Sequence, residues 1–263
     1  ADGFFVGDDA AINTGGEDYA SWTFRKAEKY FDCVTWTGDG TTNRQIAHNI
    51  GGTVGFILIK RYDSTGNWLA WHRQVEPGYG ILDLTSAFTA GANGFFNDVT
   101  DTYFETSWLN TSGATYVAYL FAHNDSGDGE FGPDGDQDII KCGSFVTTTG
   151  TVDVDLGFEP QYVLMKSSTT TDNWAIVDTM RGWVDNSGTN KLSANTSGAT
   201  EGSVAFVTLT STGFKAIYPT SSLATNQTYI YMAIRRGPLA TPEAGTEVFA
   251  MDTRASSGTN VEP

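Results

Sequence analysis

What the chain is short of narrows it first. Only 17% of its 263 residues are charged, and 15 Lys and Arg face 31 Asp and Glu, for a net charge of −16 and a pI near 4.3. Nucleic acid is thereby excluded as a partner, because like charge repels along the whole approach path. The longest apolar run, Phe56–Ile59, falls far below the ~20 residues of a spanning helix, so no membrane insertion is expected. There are two cysteines, Cys33 and Cys142, each near the start of a similar segment. Equivalent positions in successive repeats rarely approach within the ~7 Å between Cα atoms that a bridge requires, so two free, buried thiols are expected. Three histidines, His48, His72 and His123, share no zinc-ligand spacing. No G-x-S-x-G elbow and no phosphate-binding glycine loop is present. Carboxylate pairs such as Asp172/Asp178 are too common in an acidic chain to indicate a glycosidase. No enzymatic role is expected.

No helical period of apolar residues persists either. Instead the chain holds 30 Gly and 13% aromatics, with short apolar runs between turn-forming residues, which reads as all-β. One strand is written three times: Tyr19–Arg25 (Y-A-S-W-T-F-R), Tyr116–Ala122 (Y-V-A-Y-L-F-A) and Tyr229–Arg235 (Y-I-Y-M-A-I-R). Alternate positions hold Val117, Tyr119 and Phe121 in one copy and Ile230, Met232 and Ile234 in another, and this parity is expected to face the core.

The rest of the chain repeats as well. Asn49-Ile50-Gly51-Gly52 before Val54–Arg61 is answered by Asp155–Pro160 before Gln161–Lys166, and Gly66-Asn67-Trp68 by Asp172-Asn173-Trp174. The expected organisation is terminal strands of a preceding repeat in 1–27, a β-sandwich repeat in 28–124, an acidic Gly/Pro linker in 125–137, a second β-sandwich repeat in 138–237 and a linker or further segment in 238–263. Both sandwiches are expected to be jelly-roll-like, with modest interfaces and with linkers acting as hinges or spacers. Beginning with Ala and ending in polar residues, the chain is expected to be a piece of something longer.

Two candidate sites emerge. Asp134, Asp136 and Asp138 offer carboxylates at alternate positions, a pattern that can curl around calcium. Position 139 is Ile and no bidentate Glu follows, so a solvated acidic linker is the simpler reading. Trp108 and Trp183 stand in loop-like contexts and are the choice for stacking on a glycan, whereas Trp68 and Trp174 begin equivalent strands and are expected in the core.

Taken in order, Y-V-A-Y-L-F-A, the acidic loop G-P-D-G-D-Q-D, I-I-K-C-G-S, D-L-G-F-E-P-Q-Y-V-L-M-K, N-W followed by D-T-M-R-G, and T-Y-I-Y-M-A-I-R-R-G-P resemble a repeat of virion structural proteins of tailed bacteriophages. The likeness is to tail-fibre-like and appendage proteins, especially of marine phages, and runs from Tyr19 to about Phe249. It implies a β-sandwich module of a virion fibre or appendage that serves host attachment. The implied partners are other virion proteins, further copies of the chain (a trimer in many fibres) and a host-surface glycan. Alternatives are a lectin-like module, calcium-assisted or not, and a capsid decoration or head-fibre protein. The first repeat departs from the pattern, with His72 where Asp178 stands and Thr53-Val54-Gly55 in place of Glu159-Pro160-Gln161.

Overall fold

Runs of β-branched and aromatic residues, cut by Gly, Asn and Asp turns, become strands throughout the chain, and the fold is all-β. The computed structural model describes residues 5–9, 13–91, 94–125, 131–148, 150–183, 189–202, 206–218 and 223–237. Residues 238–263, expected as a linker or further segment, lie outside the described residues.

The first module comprises β1 (Phe31–Thr37), β2 (Arg44–Ala47), β3 (Val54–Arg61), β4 (Leu69–His72), β5 (Gly78–Ile81), β6 (Thr89–Ala90), β7 (Asp98–Val99), β8 (Tyr103–Thr106) and β9 (Thr115–Ala122). Its main sheet runs β1-β9-β3-β4-β5-β6, and a smaller sheet runs β2-β8-β7. The second module comprises β10 (Ile140–Val146), β11 (Gly150–Asp155), β12 (Pro160–Ser167), β13 (Ala175–Asp178), β14 (Leu192–Ser193), β15 (Val207–Thr210), β16 (Gly213–Tyr218) and β17 (Thr228–Arg235). Here the sheets run β10-β17-β12-β13-β14 and β11-β16-β15.

The duplication extends to single residues. Cys33, Tyr119 and Leu58 lie opposite one another across β1, β9 and β3, and Cys142, Met232 and Leu164 do so across β10, β17 and β12. Likewise His72 pairs with Phe56 where Asp178 pairs with Tyr162.

The expected parity is buried at Phe121, Ile230, Met232 and Ile234, but the other parity is what forms each sandwich's own core. Tyr116, Ala118 and Leu120 form the first sandwich's own core, with Trp36 stacked on Tyr116 at 5.1 Å. Tyr229, Tyr231 and Ala233 do the same in the second, with Phe145 stacked on Tyr229 at 5.5 Å. The tyrosine is tolerated inside because its hydroxyl reaches a turn: it accepts from the Thr111 amide at 3.2 Å in one module and from the Ala224 amide at 3.0 Å in the other.

The opposite face explains the join between modules, which is not modest. Ile140, Cys142, Leu164, Ile230 and Met232 are all buried and belong to the first module's core cluster. Phe56, His72 and Phe88 cover them, and Phe56, His72, Leu164, Trp174, Ile230 and Met232 leave no cavity large enough for a water. Each such aliphatic side chain contributes about 1.5–3 kcal/mol by leaving water. Gly55 permits the close approach: a Cβ there would lie 2.6 Å from Cys142 Sγ and 2.7 Å from the Ala122 carbonyl oxygen.

Tyr19–Arg25, expected as a terminal strand, forms none. It is an extended strap whose Phe24 packs on Phe31 and Phe121 at 5.4 and 5.2 Å and whose Trp22 meets Tyr162 edge-on at 6.1 Å. Arg181 lies over the Trp22 ring at 5.3 Å. The strap therefore touches both modules.

Candidate functional site

The two nominated tryptophans have opposite fates. Trp183 is 4% exposed and sits in the second module's core, 6.4 Å from Phe214. It offers no stacking surface, because the indole is packed among the apolar side chains of that core. Trp108 is 61% exposed.

Trp108 follows β8 in a turn fixed from below. The amides of Ser107 and Trp108 both donate to the Gly94 carbonyl, at 2.8 and 2.9 Å. Gly94 has φ +82°, and a Cβ on it would lie 2.8 Å from Cδ1 and Nε1 of the indole. Only glycine suits both the backbone conformation and the ring that rests on it. Phe95 meets Trp108 edge-on at 4.9 Å, and Tyr79 lies 4.6 Å behind Phe95. A row of aromatic rings in edge-on and tilted contact thus supports one side of the indole.

Beside the turn stand Asn43, Asn97 and Ser107. Asn43 Oδ1 accepts from Asn97 Nδ2 and from Ser107 Oγ, each at 2.9 Å, and the Asn43 amide donates to Ser107 Oγ at 2.9 Å. Asn97 Nδ2 also donates to Ser107 Oγ at 3.0 Å. Asn43 holds φ +54°, a left-handed conformation that Asn tolerates better than most residues. This group escaped sequence reasoning because Asn43 lies in the turn before β2, 54 residues from Asn97 and 64 from Ser107. No local pattern joins them; only the pairing of β2 with β8 and β7 with β8 does.

The rim is acidic. Tyr103 donates to Asp98 at 3.1 Å, which raises the phenol's pKa, and Glu76 is raised first by burial and then by the charge of Asp98. Arg44, next to Asn43, is engaged by Asp39 at 3.4 Å and by the side chain of Asn110.

The acidic loop does not gather its carboxylates. Asp134 and Asp136 are exposed in a turn closed by the Gln137 amide on the Phe131 carbonyl, while Asp138 pairs with Lys141 at 3.2 Å. Among the described residues no group of three or more His, Cys, Asp or Glu is arranged to hold a metal. The histidines serve the fold. His72 Nδ1 accepts from the Gln74 amide at 3.2 Å, so Nε2 carries the proton to the Tyr231 carbonyl across the module boundary at 3.0 Å. His123 Nδ1 accepts from the Cys142 amide at 3.1 Å. Asp178 is held by Arg181 at 2.7 Å, and Asp172 accepts from the Tyr229 hydroxyl at 3.2 Å.

A groove of about 560 Å³ separates the strap from the first module's main sheet, floored by Cys33, Leu58, Tyr119 and Phe121. Lys26 edges it, bonded to the Cys33 carbonyl and to Asp32 at 3.0 Å.

The family model described as "Domain of unknown function (DUF7483)" matches residues 1–238, and the chain belongs to that family. No curated protein and no solved structure matches it.

Proposed function

For a member of a family whose function is unknown, we propose a structural role without enzymatic activity: a segment of a bacteriophage fibre or appendage that serves host-surface attachment. The observation that carries this reading is the dry core shared by two copies of one sandwich, which makes the pair a stiff unit rather than two beads on a hinge. An appendage must hold its binding surface at a distance from the particle, and stiff duplicated modules suit that task. The order of motifs that resembles virion repeats points the same way. Further copies of the chain and other virion proteins are the partners this role requires.

Gold-conjugated antibody raised against the chain and viewed on intact particles tests the reading. Label on tail fibres or appendages is expected. Label confined to the head surface would favour a capsid decoration or head fibre, and no label on any particle would overturn the virion role. Incubation with host surface polysaccharide is expected to leave its size distribution unchanged; depolymerisation would show an enzyme.

A second reading, a carbohydrate-binding module, is favoured by one observation, the exposure of Trp108 on a fixed aromatic support.

A further inference from the structure

We infer that Trp108, Asn43 and Asn97 form a subsite for an uncharged sugar ring carrying neighbouring hydroxyls. The inference rests on the carbohydrate-binding reading and gives it a ligand class and polar contacts.

An indole that is 61% exposed leaves a large apolar face in water, yet the structure fixes this one rather than letting it fold away. Gly94 and Phe95 hold the ring from one side. The apolar C–H face of a pyranose is flat and of similar size, so stacking would remove both surfaces from water. Because the ring is already held, little side-chain entropy is lost on binding.

The adjacent polar group has a defined surplus. Asn43 uses its Oδ1 twice, while its two Nδ2 hydrogens have no partner among the described residues. Asn97 donates through Nδ2 to Asn43 and Ser107, and its Oδ1 has no partner among them either. The bonds that join the three side chains fix both amides in place. What remains is a pair of donors on Asn43 and an acceptor on Asn97, both tied to Ser107, the residue that precedes Trp108 in the turn. Neighbouring hydroxyls, each able to donate and accept, match that surplus.

Charge decides which sugars qualify. Asp98 and Glu105 flank the site on paired positions of β7 and β8, and Glu76 already feels Asp98. Arg44 is neutralised by Asp39. A uronic or sialic acid would meet like charge here, on a chain whose net charge is −16. Neutral hexoses and N-acetylhexosamines would not.

The full chain is applied to an array of neutral and acidic glycans, and the best neutral ligand is then titrated by NMR against wild type, Trp108→Ala, Asn43→Ala and Asn97→Ala. Neutral glycans are expected to bind, and each substitution should weaken binding by about tenfold, as loss of a stacking or hydrogen-bonding partner does. Trp108 and Asn43 are exposed, so these variants should keep the wild-type amide spectrum elsewhere. Three results would each overturn the inference: no neutral glycan bound at millimolar concentration, preference for acidic glycans, or binding unaffected by Trp108→Ala and Asn43→Ala. A chain that binds no glycan yet still labels phage appendages would remove this subsite and leave the structural role standing.

Discussion

Trp174 donates its indole N–H to the Ile81 carbonyl oxygen, 2.9 Å away across the boundary between the two sandwiches. The same ring packs on Phe56 and Phe88, at 6.2 and 5.8 Å, and is 1% exposed. Nearby, the Phe88 amide donates to the Ser168 carbonyl at 3.1 Å and the Asp172 amide to the Thr85 carbonyl at 2.9 Å. The second module's outer face is thus completed by the first module's edge.

Trp174→Ala is expected to cost about 3–5 kcal/mol, the usual range for a buried aromatic cut to Ala. In chemical denaturation the wild type should unfold in one transition by fluorescence and circular dichroism, because neither module buries that face alone. Two well-separated wild-type transitions would show that the modules fold independently and that the shared core matters little.

Gly55→Ala tests the same boundary from the opposite direction. Its new methyl would overlap Cys142 Sγ and the Ala122 carbonyl, and β3 cannot move away without breaking its pairing with β9. Overpacking of this kind costs about 1–3 kcal/mol. Adding Cys142→Ala should recover part of the loss but not all, since the carbonyl contact remains. Thermal melts of the single and double variants check this, and full stability in Gly55→Ala would mean that the modules can separate freely.

The fold was largely legible because both modules were printed in the same order of turns and strands, and residues such as Gly51/Gly157 and Trp68/Trp174 set the register. Which face of the repeated strand lines its own sandwich is not legible, because β17 is apolar on both parities, Tyr229-Tyr231-Ala233 on one and Ile230-Met232-Ile234 on the other. Double-sided apolarity marks a strand buried on both faces, and it was the available signal for the intimate module boundary. Tyr19–Arg25 copies the pattern of that strand, yet among the described residues no strand pairs with it, and its aromatics serve as strap anchors instead. At the candidate site Trp108 is legible from its polar loop, whereas Asn43 and Asn97 reach Ser107, the residue before it, only through sheet pairing.

Acid should loosen the boundary. His72 and His123 both have pKa values pushed down to about 4, chiefly by burial, with the charge of Arg73 adding to it and, at His72, the bond to the Tyr231 carbonyl opposing it. Lys141 adds to the effect on His123, while Asp125 and Asp138 oppose it. Each ring uses Nδ1 as an acceptor, which protonation abolishes. In the unfolded chain both rings titrate near ~6.5. Between that pH and about 4 the unfolded state binds more protons, so stability rises with pH through this window and is lost as pH falls through it. Urea melts from pH 7 to 4 should show this slope, and His72→Gln with His123→Gln should flatten it between pH 7 and 5 apart from a remainder from His48, also lowered by burial. Nearer pH 4 Asp32, Asp39 and Asp63, whose pKa values are lowered, add a slope of the same sign. A slope unchanged in the double variant would assign the acid sensitivity elsewhere.

The two cysteines occupy the same place in the duplicated sheet but not the same surroundings, and their reactivity should differ accordingly. Cys142 is wholly buried beneath Gly55, and burial pushes its thiol far above the ordinary range. Cys33 is half-buried and lines the groove beneath the strap; its pKa is raised first by burial, with Lys26 pulling it down and Asp32 pushing it up. The thiolate is the reactive form, so both should be slow, but only Cys33 has a route to reagent without unfolding. Treatment of the native chain with a chromogenic disulfide at pH 8 is expected to release about one equivalent. The second should appear only in denaturant. Cys33→Ser should abolish the native signal, and Cys142→Ser should leave it unchanged. Two equivalents released natively at similar rates would mean that the module boundary opens readily, against the dry packing between Phe56, Trp174 and Met232.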